Sequence, residues 1–185
     1  ALAIIIGTAA VIAVIGIGSS AEKALEASID DLGPRTLSIF PSQRKRGGVS
    51  SGFNPLVIKD AEALAKNTEH NWLVAPAMSG NRQVKFRNSN MNGEINGYLP
   101  VNFEVRGFDL GHGRLFTEKE NLGRKRVIVL GSKVPGELKT SAKQILNKEI
   151  LIAGTSYTVI GVLSEEGSTG WQNPDDDLYV PLLTA

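Results

Sequence analysis

The sequence predicts an α+β fold in two lobes, carried on a long helical rod. Three observations point there. An uncharged run from Ala1 to Gly18 abuts a charged stretch without Gly or Pro from Ser19 to Leu32. Beyond Gly33-Pro34, strand-like and helix-like patterns alternate in mixed order, as α+β domains do. The chain has 185 residues, is 42% hydrophobic and 21% charged, and carries 20 Gly and 8 Pro, a composition that buries a core while turning often between short strands.

The rod divides by solvent. Ala1 to Gly18 holds six Ile, two Val and one Leu, worth roughly −3 to −5 kcal/mol toward bilayer insertion. Eighteen residues rise about 27 Å, slightly less than a hydrocarbon core, so the span is expected to begin upstream of Ala1. A signal peptide has a shorter apolar region, and a buried core helix is rarely apolar on every face; a transmembrane helix fits better than either. From Ser19 onward Ala21, Ala24, Leu25, Ile29 and Leu32 recur at helical spacing, so the helix is predicted to continue into water as an amphipathic stalk. Gly33 and Pro34 end it. Glu22, Glu26, Asp30 and Asp31 outnumber Lys23 on this flank, which places the bulk of the chain outside the cytoplasm.

The remaining elements follow in order. "RTLSIFP" (35–41) alternates as a strand; "SQRKRGGVSSG" reads as a loop carrying Arg44, Lys45 and Arg46, a basic run suited to lipid headgroups or an acidic partner. "IKDAEALAKN" is helical through Ala61, Leu64 and Ala65, and "NWLVAP" reads as a strand, giving strand, helix, strand. The turn-rich middle has short strands near Val84–Phe86 and Glu94–Tyr98. Thr117 to Glu120 fits a capping box. "RVIVLG" is apolar enough for a strand covered on both faces. A short helix is predicted within 132–146, weakened by Pro135 and Gly136; "KEILIAGTSYTVIGVL" gives two strands about a glycine turn, and "DLYVPLLTA" a last strand.

Several chemistries are excluded. Cysteine is absent, removing disulfides, thiolate metal sites and a Cys nucleophile. A net charge of +1 gives no general affinity for nucleic acid. No P-loop occurs, since Glu137 follows Gly136 where Lys is required, and no G-x-S-x-G elbow surrounds Ser168. His70 and His112 lack zinc-ligand context. "GHGRLF" puts Arg114 in a glycine turn, and Asp175-Asp176-Asp177 reads as a solvated turn. Paired acids stand at Glu118/Glu120 and Glu165/Glu166, while Trp72 and Trp171 are expected in the core or at its rim. No catalytic set and no cofactor are expected.

Taken together, "LAIIIGTAAVIAVIGIGSSAEKALEASIDDLGPRTLSIFP", "FNPLVIKDAEAL", "FEVRGFDLGHGRLFTEKE", "RVIVLGSKV", "YTVIGVL" and "DDDLYVPLLTA" resemble, in order, the extracytoplasmic domain and first transmembrane helix of MacB-type ABC transporter permeases, a group with DevC-like, FtsX-like and lipoprotein-releasing members. The resemblance implies a porter-like βαβ lobe with an inserted second mixed lobe, preceded by a transmembrane helix that continues into a stalk. Its layout would be 1–18 membrane helix, 19–33 stalk, 34–78 first part of the porter-like lobe, 79–150 inserted lobe and 151–185 return strands. It implies a cytoplasmic ABC ATPase subunit or domain, a second permease copy, a periplasmic adaptor and membrane lipid as partners, and an inner-membrane location with the folded part periplasmic. Motion would pass along the stalk through Leu25, Ile29 and Leu32, with Gly33 and Pro34 near the pivot. Pro135 and Gly136 depart from relatives that run a helix there, and "GYLPVNFEV" replaces a commoner Gly-Thr-Thr-Pro pattern. Two other readings stand beside this one: an FtsX-like interaction module that controls a cell-wall hydrolase, separable by its pull-down partner, and a membrane-bound enzyme, separable by turnover of the soluble part alone.

Overall fold

The computed structural model describes residues 37–41, 43–46, 49–53, 55–66, 72–167 and 173–185, together with Gly7 and Val14. The chain divides between Ser38 and Ile39 into two units. In the first, Gly7 and Val14 are helical and exposed; the rest of the expected membrane helix and stalk lies outside the described residues. Among the described residues, no helix is long and apolar enough to cross a membrane.

The second unit opens with a hairpin, β1 (Gln43–Arg46) against β2 (Val49–Phe53), with Arg46 opposite Val49. The basic stretch expected as loop is therefore strand: backbone pairing does not depend on side-chain charge, and the absence of β-branched residues there hid it. Helix α1 (Ile58–Lys66) forms where the helical spacing lies, and the Asp60 carboxylate accepts the Val57 N–H at 2.9 Å. Among the described residues the strands expected on either side of it do not form. Residues 37–41 and 72–76 are irregular, and Leu37, Phe40, Trp72 and Leu73 are each more than half exposed. Alternation alone makes no strand without a partner to bury its apolar side.

A ladder of ten consecutive pairs then joins β3 (Ala77–Phe86) to β4 (Ser89–Tyr98), turning at Arg87 with φ 51°. It is longer than the two short strands expected, because the Gly, Asn and Ser it contains are poor strand formers and only the pairing reveals them. Helix α2 (Pro100–Arg106) follows, with Pro in its first turn and Gly107 at φ 69° closing it; Phe108 N–H reaches back to Phe103 O at 2.9 Å. After β5 (Leu110–Gly113), the Thr117 hydroxyl and Glu120 carboxylate cap α3 (Glu118–Leu122) reciprocally, as the capping-box spacing predicts. Strand β6 (Val127–Leu130) leads to two single-turn helices, α4 (Val134–Glu137) and α5 (Ala142–Ile145), where one was expected. β7 (Glu149–Ile152) and β8 (Thr155–Leu163) join through Ala153 and Gly154, both at positive φ, the conformation a two-residue hairpin turn requires. β9 (Leu178–Pro181) is the last strand.

Seven strands form one mixed sheet in the order β5-β8-β6-β9-β4-β3-β7, and β7 also pairs with β8. The pairings β8-β6-β9-β4-β3-β7 thus close on themselves, with β5 alongside the far end of β8. β3 and β7 carry residues from both sides of the 78/79 and 150/151 divisions, so the sheet runs continuously through 77–181.

Alternation along the central strands builds two cores. Ile128 and Leu130 of β6, Val159 and Val162 of β8, and Leu178 and Val180 of β9 join Val84, Phe86, Ile150 and Ile152, with Val134, Leu138 and Ile145 supplied by α4 and α5. The opposite faces present Val129, Ile160, Leu163 and Tyr179 to Tyr98, Phe103 and Phe116. Strand β6 is covered on both faces, as its unbroken apolar run predicts. The second core is aromatic: Phe103 meets Phe116 edge-on at 5.2 Å and Tyr179 at 5.7 Å, and Tyr98 lies 5.1 Å from Tyr179.

Candidate functional site

Leu25, Ile29, Leu32, Gly33 and Pro34, the residues read as coupling stalk, lie outside the described residues. Arg44, Lys45 and Arg46 lie in β1. The densest polar chemistry is where sequence reading placed a solvated turn. Asp175 is fully buried.

The turn at Asn173–Asp177 precedes β9 and crosses the exit of β6. Gly131 N–H donates to Asp177 O at 2.8 Å and Lys133 N–H to Asp175 O at 3.0 Å. Backbones approach so closely here that a Cβ on Gly131 would collide with the carbonyl oxygens of Pro174 and Asp175. The Asp175 carboxylate then collects four donors: Ser132 Oγ at 2.9 Å, Glu166 N–H at 3.0 Å, Gly167 N–H at 3.3 Å and Lys133 Nζ at 3.1 Å. Burial alone would raise its pKa, but the Glu166 amide, Ser132 and Lys133 together hold it below the usual carboxylate value. One side chain therefore fastens 131–133, 166–167 and 173–177 together.

Asp177 is tuned the other way. Burial and the nearby Glu94 carboxylate push it up to about 6, against a 3.0 Å bond from Asn96 Nδ2 and the pull of Arg106. Tyr179 completes the join: its buried hydroxyl donates to Pro174 O at 3.2 Å while its ring lies in the aromatic core, and burial raises its pKa.

A second fastener surrounds α3. Arg114 grips Glu120 through two bonds of 2.8 and 2.7 Å, and with the Thr117 cap this holds Glu120 down at about 2. Buried Asn121 accepts Leu183 N–H at 3.1 Å and donates to Glu118 at 3.0 Å, tying the helix to the chain's last residues.

This polar chemistry is structural. Ser132 donates to a carboxylate that Lys133 also engages, so neither is arranged to make an alkoxide nucleophile. The acid pairs do not face across a cleft: Glu118 and Glu120 serve α3, and Glu166 accepts the Asp109 N–H at 2.8 Å. His112 is exposed, whereas His70, Ser168 and Trp171 lie outside the described residues. Among the described residues no three His, Cys, Asp or Glu gather as metal ligands.

The MacB-like periplasmic core domain family matches residues 1–185. The chain belongs to that family. It is 34% identical over 187 residues to the macrolide export ATP-binding/permease protein MacB of Bdellovibrio bacteriovorus, covering 100% of this chain and 29% of that protein. The MacB of Syntrophobacter fumaroxidans is 33% identical over 188 residues, with 100% and 26% covered. The chain thus spans less than a third of the length of these curated relatives. The periplasmic region of MacB from Actinobacillus actinomycetemcomitans superposes with a TM-score of 0.60 at 25% identity, over 73% of this chain and 59% of that one. The extracellular domain of the noncanonic ABC-type transporter YknZ from Gram-positive bacteria shares the fold, with a TM-score of 0.56 at 23% identity over 67% and 61% of the two chains.

In this MacB-like domain sequence reading missed the Asp175 fastener and the aromatic core. Asn173-Pro174 is a turn signal, and Asp bonds local backbone readily. Which of three consecutive aspartates turns inward depends on where β6 exits, and no local pattern carries that.

Proposed function

We propose that the chain is the extracytoplasmic domain of an ABC transporter permease in which a rod, 1–18 in the membrane and 19–33 as stalk, carries motion from cytoplasmic ATP hydrolysis to the folded head, and so drives export or extraction of a substrate outside the membrane. The observation that carries this reading is the family match, which includes the opening 33 residues as well as the folded part. The relatives' names join ATP-binding and permease functions in one protein, which supports an ATPase as energy source. Physical chemistry supports the rod: a helix satisfies its own backbone in lipid and in water and transmits displacement without a change of structure. It also supports the head. A sheet whose pairings close on themselves, fastened at Asp175 and Glu120, moves as one body rather than yielding. A second permease copy, a periplasmic adaptor and contact of Arg44, Lys45 and Arg46 with lipid headgroups or an acidic partner belong to the same proposal.

The test inserts a flexible Gly-Ser segment after Leu32 in the intact transporter. ATP hydrolysis should continue while transport falls at least tenfold; normal transport with the insert would refute the lever.

A further inference from the structure

Strand pairing closes most edges of the sheet. β5 is short and its register with β8 shifts between Leu110 and His112, a device that spoils an edge for further pairing. The β3–β4 hairpin is different. β3 pairs with β4 through ten residues without a shift, yet its ladder with β7 covers just Val84 and Lys85 among the described residues. β7 leaves this edge where Ala153 N–H donates to Gln83 O at 3.0 Å.

Successive residues of a strand direct their backbone groups to opposite edges. Since Gln83 points toward β7, the N–H and C=O of Ala77, Ser79 and Asn81 point the same way, beyond the end of β7. Among the described residues none of these three N–H groups has a partner on that side. Of the carbonyls, only that of Asn81 is engaged, by the guanidinium of its neighbour Arg82 at 2.9 Å. Among the described residues the opposite edge of the hairpin also lacks a paired strand over Asn90–Glu94, before β9 joins at Ile95, but there Glu94 sits on it.

The open stretch is held in shape at both ends. Before it, buried Asn102 donates from Nδ2 to Ala75 O at 3.3 Å and Pro76 O at 3.2 Å; after it, β7 holds Val84 and Lys85. Such an edge presents backbone groups already ordered, so an added strand does not spend binding energy ordering it. The devices that blunt edges are missing from 77–81: no Pro, no bulge, no charged side chain. Met78 is half exposed and offers apolar area beside it. Charge indicates what fits: Arg82, Lys85 and Arg87 are exposed along β3 and its turn, opposed on the hairpin by Glu94 alone.

We propose that the open edge of β3, Ala77–Asn81, is a docking site that takes an extended acidic segment of a partner protein as an added strand. Its backbone pairs with Ala77, Ser79 and Asn81, and a carboxylate draws the Arg82 guanidinium from the Asn81 carbonyl, freeing that acceptor for the incoming strand. The site does not depend on whether the rod carries force.

The test uses the full chain in detergent and a fluorescein-labelled octapeptide of alternating threonine and glutamate, followed by anisotropy. Binding should saturate, weaken at least tenfold when the peptide is N-methylated at every residue, and be absent for a threonine–lysine peptide. Ser79→Pro removes an N–H that points away from β4, so it should leave the β3–β4 ladder intact and weaken binding tenfold or more; Arg82→Glu should shift preference toward the lysine peptide. The methylated peptide on unaltered chain keeps the test decisive if Ser79→Pro fails to fold. No saturable binding of the glutamate peptide overturns the proposal, and so does equal binding of its methylated form, which would mean charge attraction alone. Self-association lost in Ser79→Pro and not competed by the peptide would overturn it by assigning the edge to a second copy.

Discussion

Replacing Asp175 tests whether the buried carboxylate is the fastener of the head. Asp175→Ala removes the acceptor for two partly buried amides, Glu166 and Gly167, and for the Ser132 hydroxyl, while Lys133, whose side chain is 47% exposed, returns to water. Each donor left unsatisfied costs about 1–3 kcal/mol where water cannot reach it and less where it can. Three such groups give a loss of about 3–5 kcal/mol, a large part of the 5–15 kcal/mol typical of a domain. Lys133→Met removes only a solvent-screened ion pair and should cost far less than Asp175→Ala. Asp175→Asn retains one acceptor oxygen and should fall between. Urea unfolding of the full chain in detergent, followed by far-ultraviolet circular dichroism, measures the three; hydrogen exchange at Glu166 and Gly167 locates the effect. Equal losses for Asp175→Ala and Lys133→Met, or a loss below about 1 kcal/mol for the former with those amides still protected, would refute the reasoning.

Two carboxyls should respond to pH with opposite signs. Asp177, raised from 3.8 to about 6, binds its proton more tightly folded than unfolded, so stability falls as pH rises from about 4 to about 6 and stays lower above it. Asp177→Asn should therefore raise the melting temperature at pH 8, by the equivalent of about 1–2 kcal/mol after allowance for partial exposure, and leave it unchanged near pH 3.5. Glu120, lowered from 4.5 to about 2, contributes stability above pH 4.5 that is lost as pH falls through about 2. Glu120→Gln should cost about 1–2 kcal/mol at pH 7, and its melting curve should converge with the unaltered chain's near pH 2.

What could be read from the sequence was what local chemistry decides. β6 was legible because Val127–Leu130 is apolar without a break and both its faces are buried. The α3 cap was legible because Thr117 and Glu120 bond each other's backbone three residues apart, and the β7–β8 turn because Gly154 tolerates positive φ. Pairing over distance was hidden. Nothing in "QRKR" announces β1, nothing in "AMSGNRQ" announces the first seven residues of β3, and the alternation of Leu37 with Ile39 and the apolar run in "NWLVAP" misled because among the described residues neither stretch joins a sheet. Asp175 was hidden for the same reason: its partners at 132, 133, 166 and 167 meet only when β6, β8 and β9 have come together.

The central claim, a head that moves as one body when nucleotide is turned over outside it, is open to distance measurement, because residues 1–185 carry no cysteine and a label on a cysteine introduced in the head has no native thiol beside it there. Glu104 and Lys143 are exposed on separate elements of the head. In the intact transporter, pulsed electron resonance between labels at these two sites should give one distance with and without ATP, while the distance between Glu104 labels on two permease copies should change. A Glu104–Lys143 distance that shifts on ATP binding, or a separation between copies that does not, would contradict the account.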